Sequence, residues 1–347
     1  LKFFDYSFLE HGMLPAGLIN TVAAIAELRE REIGRKENYV EIFSKLESIA
    51  KIQSVKGSNE IEGIVTSEQR INEIVNQNSA PLNHNEAEIA GYRDALSLIH
   101  DNYASLDIRE NDILRLHEIM LSYSPVSGGA YKESDNVIME VAGGVRRVRF
   151  DPTPASETAE TMEQLILAYM DARSNYNVSQ LLLIPCFILD FLCIHPFADG
   201  NGRMSRLLSL LLLYKNGFDA GRYISFEEQI NRSKAAYYQA LKDSSAGWHE
   251  ERNSYFPFIE NFITTLLYCY KELDKRFAVV NSRKVTKRQR IEATVMNSLL
   301  PISKAEICYI LPDVSPTTVE AALAVMVKSG QIEKIGTSRN IKYIKKF

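Results

Sequence analysis

The sequence predicts a mainly α-helical protein that carries one β-hairpin and ends in a small module of two helices and a second hairpin. Three observations lead there. Apolar residues recur at helical spacing through the first hundred residues. Two strongly apolar runs, 181–194 and 207–213, flank a turn rich in glycine and charge. Beyond residue 276 the chain turns basic, then changes to short helical and alternating segments.

Taken in order, residues 1–105 form an N-terminal helical region with helices at 18–33, 39–52, 67–76 and 85–100, and with Gly57 and Pro81 as interruptions. A helix at 112–121 opens the central region, 106–277. Its His117 reads as a packing histidine, because its neighbours offer no metal-ligand spacing. The glycine-rich, β-branched stretch 128–150 reads as a hairpin: Asn136, Val137, Ile138 and Met139 lie on one strand, 145–149 form the other, and Gly143-Gly144 make the turn. The run 181–194 reads as a buried helix of the core; as an apolar stretch it is too short to span a bilayer and is interrupted by Pro185 and Asp190. Residues 278–290, with Arg283, Lys284, Lys287, Arg288 and Arg290, read as a basic linker. The module 291–347 follows, with a helix at 303–310, a turn at 311–314, and a helix capped by Ser315-Pro316-Thr317 that runs to 328. Strands at 331–335 and 340–344 close it around Gly336-Thr337-Ser338-Arg339.

Composition bounds the function. A chain of 347 residues has room for two or three domains, and 46% hydrophobic residues with a net charge of -4 suit a soluble globular protein rather than a membrane enzyme. Cys186, Cys193, Cys269 and Cys308 are scattered without zinc spacing or a compact disulfide framework, which points to reduced thiols in a cytoplasm. No basic-then-apolar signal pattern opens the sequence.

The run from His195 to Arg206 carries the chemistry. Pro196 stops the helical pattern, so His195 stands at a rigid loop entrance. Gly200 and Gly202 bracket Asn201, a composition that lets backbone N–H groups converge on an anion at the start of the next helix. Arg203 and Arg206, three apart, can reach different phosphates of one nucleotide. Asp199 is placed to hold Mg²⁺ against the same phosphates. A histidine that accepts a proton from an attacking hydroxyl, beside groups that stabilise charge on phosphorus, implies group transfer from a nucleoside triphosphate. A lone histidine is ordinarily a cap or a core residue; this many phosphate-type residues in register favour the chemical reading.

The same run matches in full the HPFxDGNGRxxR signature and so resembles the Fic (Fido-superfamily) enzymes. The resemblance implies a Fic helical-bundle core and transfer of AMP from ATP, with Mg²⁺, to a Ser, Thr or Tyr hydroxyl of a target protein. It would make His195 the base, Asp199 the Mg²⁺ ligand and Asn201 an α-phosphate ligand. Gly200 and Gly202 would form the anion hole, with Met204 and Ser205 in the ATP-binding run. Arg203 and Arg206 would bind the outer phosphates, and Phe197 would be a packing anchor. In the kinase-like Doc branch a lysine replaces the second glycine, so Gly202 favours AMP transfer over phosphate transfer.

Ser58-Asn59-Glu60-Ile61-Glu62-Gly63 resembles the inhibitory [S/T]xxxE[G/N] motif of the family class with an N-terminal brake. The resemblance implies that Glu62 pairs with Arg206 and denies it to the γ-phosphate, with Ser58 and Gly63 completing the motif. By composition alone the same six residues read as a helix ending at a glycine, or as an N-cap Ser58 followed by acidic first-turn residues. The hairpin stands where Fic proteins carry a flap that aligns the target segment by strand addition through 136–139. Gly129-Ala130-Tyr131-Lys132 departs from the relatives' G-x-Y-R at Lys132. Relatives place paired tyrosines beside adenine where Tyr237-Tyr238 stand here, although tyrosines at such spacing are as often core residues.

The C-terminal module resembles a winged helix-turn-helix. DNA contact would use Thr317, Thr318 and Glu320, with Arg339, Lys342, Lys345 and Lys346 on phosphates. The helix 316–328 is nevertheless poor in long polar side chains, and protein docking or dimerisation remains an equal reading. Two function classes therefore stand: an adenylyltransferase restrained by Glu62, which could also modify itself, and a DNA-binding regulator with a nucleotide-sensing core. Phosphotransfer on the same scaffold is a narrower third.

Overall fold

The apolar spacing of the first hundred residues closes into long helices. In the computed structural model, which describes residues 2–142, 145–281, 286–296, 298, 301–311, 314–336 and 341–346, α1 (Phe8–His11) and α2 (Ala16–Asn38) lead into α3 (Val40–Ile61). α4 (Glu68–Gln77), α5 (His84–Asn102) and α6 (Glu110–Met120) follow. Ser67 and Asn83 cap α4 and α5 by accepting the N–H of Arg70 and Glu86, which satisfies first-turn amides that have no helical partner. The hairpin β1 (Ile138–Ala142) and β2 (Val145–Phe150) is antiparallel, with Met139 opposite Val148 and an irregularity between Ile138 and Met139. Asn136 and Val137 precede the strand, and the expected Gly143-Gly144 turn lies outside the described residues.

The centre is built by α7 (Ala155–Asn175), α8 (Gln180–Ile194) and α9 (Asn201–Lys215). Every residue of α9 from Arg203 to Tyr214 is buried, so this helix is the axis on which the others pack. As the sequence reading expects, 181–194 lies in one buried helix, and α8 runs through Pro185 and Asp190. Pro185, the sixth residue of α8, has no N–H to donate to the Leu181 carbonyl, so the helix lacks one bond of its ladder there. Asp190 is tolerated because the hydroxyl of Tyr6 (2.8 Å), the indole N–H of Trp248 (2.7 Å) and the hydroxyl of Tyr255 (3.0 Å) all donate to its carboxylate. Burial pushes its pKa up to about 6, against the pull of those bonds. α10 (Phe226–Arg232), α11 (Lys234–Ser245) and α12 (Phe256–Asn281) complete this part of the chain. No helix among the described residues is long and apolar enough to cross a membrane.

Gly57 corrects the sequence reading. It does not interrupt the helix; α3 continues through it to Ile61. The glycine is there for packing: α10 crosses so closely that a Cβ at residue 57 would lie 3.1 Å from both Cα and N of Glu228. The fully buried Glu227 accepts from Ser54 (2.7 Å) and Tyr92 (3.0 Å), and Asn231 donates to Glu60 (2.9 Å), so α3 is held to α10 along its last two turns. α3 then stops at a left-handed glycine: Gly63 (φ 79°) donates to the Glu60 carbonyl and Ile64 to that of Asn59, both at 3.0 Å.

The chain divides into two compact units, Leu1–Tyr270 and Lys271–Phe347, and residues 1–105 lie within the first. In the second, α13 (Lys287–Met296), β3 (Ile302–Ser303), α14 (Lys304–Ile310), α15 (Pro316–Lys328), β4 (Ile332–Ile335) and β5 (Lys342–Lys345) follow one another, with sheet order β3-β5-β4. Helices α14 and α15 followed by the β4–β5 hairpin are consistent with a winged helix. Ile291, Ile307, Val319, Leu323, Met326 and Ile332 form its own core. Ser303 and Glu306 make a reciprocal capping box on α14. The side chains considered for DNA reading are engaged within the unit: Thr317 and Thr318 hydroxyls bond Ser315, and Glu320 pairs with Lys304. Arg283, Lys284 and Arg339 lie outside the described residues.

The α3–α10 approach is testable. Gly57→Val should cost about 1–3 kcal/mol through overpacking, read as a lowered melting temperature; an unchanged melt would contradict the close approach.

Candidate active site

α8 ends at Ile194 and delivers His195 in the left-handed region, φ 51° and ψ 60°. For a residue with a Cβ this costs roughly 1–2 kcal/mol, strain of the kind that collects at functional sites. The His195 amide still closes the helix on the Phe191 carbonyl at 2.9 Å. Its ring Nδ1 lies 3.4 Å from the Leu192 carbonyl; a proton there leaves Nε2 with a lone pair. Burial pushes the imidazole down to about 4, with Lys132 and Arg149 adding to the shift and Glu62 opposing it. His195 is therefore neutral at pH 7.

The loop that follows is braced from inside. Phe197 is fully buried, and the Asn201 amide accepts from its N–H (2.9 Å) and donates to its carbonyl (2.7 Å). The side chain expected on a phosphate is thus turned inward and engaged at both ends. Gly200 stands at φ 81°, where a Cβ would come within 2.5 Å of the Met120 methyl. Beyond it α9 begins, and its first helical amide with an in-helix partner is Met204, bonded to the Gly200 carbonyl at 2.8 Å. The amides of Asn201, Gly202 and Arg203 precede it at the positive end of the helix. Met204 and Ser205 have buried side chains, Ser205 bonding the Gly202 carbonyl (2.7 Å), so these two line the core rather than an open pocket.

Each arginine is met by a carboxylate. Arg206, 2% exposed, donates to Glu62 Oε1 at 2.8 Å, to Ser58 Oγ at 2.8 Å and to the Ser58 carbonyl at 3.0 Å. The structure thus brings Ser58, Glu62 and Arg206 together across 144 residues of sequence, with Gly63 shaping the turn that carries Glu62. Glu62 also covers the helix start: a Cβ on Gly202 would meet Glu62 Oε1 at 2.3 Å. Arg203 is bonded to the buried Glu88 and lies 3.4 Å from Asp199 Oδ2. Asp199 projects outward from the loop with its side chain 59% exposed, and its Oδ1 accepts the Gly200 N–H at 2.7 Å. Tyr237 is buried and Tyr238 partly so, their rings 5.5 Å apart edge to face. Burial raises both phenols, and both feel the charges of Glu62 and Arg206, which places the pair beside the site.

Three residues matter more than the sequence suggested. His117 stacks on Phe197 with centroids 3.7 Å apart. Its Nδ1 accepts the Gly129 N–H (3.1 Å), so Nε2 carries the proton and donates to the Asp199 carbonyl (3.1 Å). Burial pushes it down to about 4, which keeps it neutral for this role. Glu88 had no signal in the sequence beyond being a carboxylate on a helix. Lys132 is buried and bonds both Asn136 Oδ1 and the Ile194 carbonyl. Asn136, expected to face a target, spends its other end on the Phe197 carbonyl (3.1 Å). Val137 and Met139 are about half exposed, and Ile138 begins the strand proper.

A histidine and a helix start joined by one tight loop at the centre of a helical bundle is the layout of Fic and Fido proteins. The chain belongs to this family: the Fic/DOC family model matches residues 106–213. A Fido domain-containing protein of Dictyostelium discoideum is 32% identical over 145 residues, 41% of this chain and 95% of that protein. A protein adenylyltransferase Fic of Nematostella vectensis is 27% identical over 209 residues, 57% of this chain. The chain spans 44% of that relative's length and 30% of its Drosophila counterparts. The crystal structure of a Fic family protein from Desulfovibrio desulfuricans has the same fold, with a TM-score of 0.62 at 22% identity over 96% of this chain and 97% of that one.

The bracing role of His117 can be measured. His117→Phe keeps the ring stack but leaves the Asp199 carbonyl and Gly129 N–H without their partner, at about 1–3 kcal/mol for a lost buried partner. The urea midpoint should fall; a midpoint equal to the parent's would remove His117 from the brace.

Proposed function

We propose that the chain transfers AMP from ATP to a protein hydroxyl and that Glu62 holds this activity in check. One observation carries the reading: the Glu62 carboxylate is bonded to Arg206 and lies over Gly202, where the open amides of α9 would receive a phosphate. A carboxylate in that seat is an anion in the place of an anion.

The residues suit the chemistry in turn. Neutral His195, with Nε2 free of its proton, takes the proton of the target hydroxyl as the oxygen attacks the α-phosphorus. The new P–O bond forms as the bond to the β-phosphate oxygen breaks, and pyrophosphate leaves. The amides at the start of α9 stabilise charge on the α-phosphate oxygens. Arg203 and Arg206 take the outer phosphates, Arg206 only when Glu62 withdraws. Asp199 suits the Mg²⁺ that accompanies ATP, because Mg²⁺ commonly uses one or two protein carboxylates and completes its shell with phosphate oxygens and water. The exposed side chain of Asp199 is such a carboxylate, and no cluster of three or more metal-ligating side chains occurs among the described residues. Bound there, the ion would neutralise phosphate charge. The hairpin, with Val137 and Met139 outward, would align the target segment by strand addition.

Incubation with ATP labelled at the α- or the γ-phosphate tests this. Protein-bound label should come only from the α position, rise at least about tenfold (~1.4 kcal/mol of barrier) in Glu62→Gly, and vanish when His195→Ala is added. Label from the γ position would mean phosphotransfer, and equal labelling of parent and Glu62→Gly would remove the brake. The pH dependence has a definite sign. The base form of His195 grows as pH rises through its pKa, and burial lowers that value from 6.5 to about 4, so the acid limb of the rate profile should lie well below pH 6.5.

A further inference from the structure

Lys132 is a buried ammonium group set between two functional segments. It is 5% exposed. Its Nζ donates to the Ile194 carbonyl at 3.2 Å, immediately before His195, and to Asn136 Oδ1 at 2.9 Å, at the root of the hairpin. Its own backbone N–H donates to the Pro196 carbonyl at 2.9 Å, immediately after His195. Asn136 adds a bond to the Phe197 carbonyl. His195 is thus gripped on both sides by one residue, and that residue also grips the hairpin.

We propose that Lys132 is a positioning residue that ties the base His195 to the root of the flap, so that the base and the target-aligning hairpin keep one fixed relation. The roles of base and flap rest on the adenylyl-transfer reading; the tie itself does not. An N–H donor that carries charge makes a bond about twice as strong as a neutral one, so the tie is firmest while Lys132 is protonated. Desolvation pushes Lys132 down to about 8, opposed by Asp135 and Asp151. The charged groups that face His195 are Lys132, Glu62 and Arg149. As pH rises through about 8, the ammonium loses its charge, the grip on Ile194 and Asn136 weakens, and a positive neighbour of His195 disappears.

The test uses the full chain carrying Glu62→Gly, with Lys132 retained or changed to Arg or Met, and two readouts. Transfer from ATP across pH 6 to 10 should show an alkaline limb near pH 8 with Lys132. Arginine, which stays charged, should move that limb out of range. Methionine should lower kcat about tenfold, the size of effect expected from a displaced base, with the KM for ATP within about twofold. Histidine-ring NMR without nucleotide should show His195 resonances inflecting near pH 8 with Lys132 and not with arginine. Identical pH profiles in all three, or a kcat in Lys132→Met equal to its parent's, would overturn the proposal. Should Lys132→Met fail to fold, Lys132→Gln, which keeps an amide donor without charge, takes its place under the same criteria. If no form transfers AMP, the functional reading fails, and the NMR inflection alone decides whether the tie exists.

Discussion

A helix that begins in the middle of a protein has amides with nowhere to go, and the rest of this structure depends on that constraint. α9 is buried almost from end to end, so its positive end cannot be left to bulk water. The chain answers with a loop that presents the Asn201, Gly202 and Arg203 amides in one direction and with carboxylates brought to meet the two arginines of its first turns. The brace around the loop serves the same end. Phe197, Asn201 and His117 hold its shape from within, so the amides keep a fixed direction whatever binds them.

The two arginine–carboxylate pairs are chemically alike but differ in what can replace them. Arg203 and Glu88 are both 2% exposed, and breaking such a sealed pair costs about 3–5 kcal/mol because a charge is left buried. Glu62 is different: its side chain is 33% exposed and it caps the C-terminal end of α3, just ahead of a left-handed glycine. In the proposed brake an incoming anion would take its place on Arg206, whose guanidinium Ser58 also holds through its hydroxyl and carbonyl. Arg203 would then be the fixed member of the site and Arg206 the exchangeable one, which is the division of labour that the proposed brake requires.

The helices and the phosphate-type run were legible because periodicity and residue chemistry are local. The sequence misread Gly57 because it was judged only by what it does to its own helix. What keeps it there comes from elsewhere, from the backbone of α10, just as the buried Asp190 is kept by Tyr6, Trp248 and Tyr255. The braces escaped notice for the same reason. His117 and Lys132 act on carbonyls 82 and 62 residues away, and nothing in their neighbours announces it. The hexapeptide 58–63 shows the opposite case. Read blandly it is a helix ending at glycine, and read functionally it presents a carboxylate to Arg206; the structure has both, because the turn at Gly63 is what aims Glu62.

That coincidence links two sequence features that lie far apart. Gly202 was read as a phosphate-loop glycine and Glu62 as part of a separate motif, yet a Cβ on residue 202 would lie 2.3 Å from the Glu62 carboxylate oxygen. The clash would fall on the end of a flexible side chain, so the carboxylate would be driven off Arg206 while the helix start stayed in place. A side chain at 202 and a carboxylate on Arg206 in this geometry exclude one another. The absence of a side chain at 202 therefore does two things at once in the proposed function: it would open the amides of α9 to a phosphate, and it leaves the space in which the Glu62 carboxylate stands.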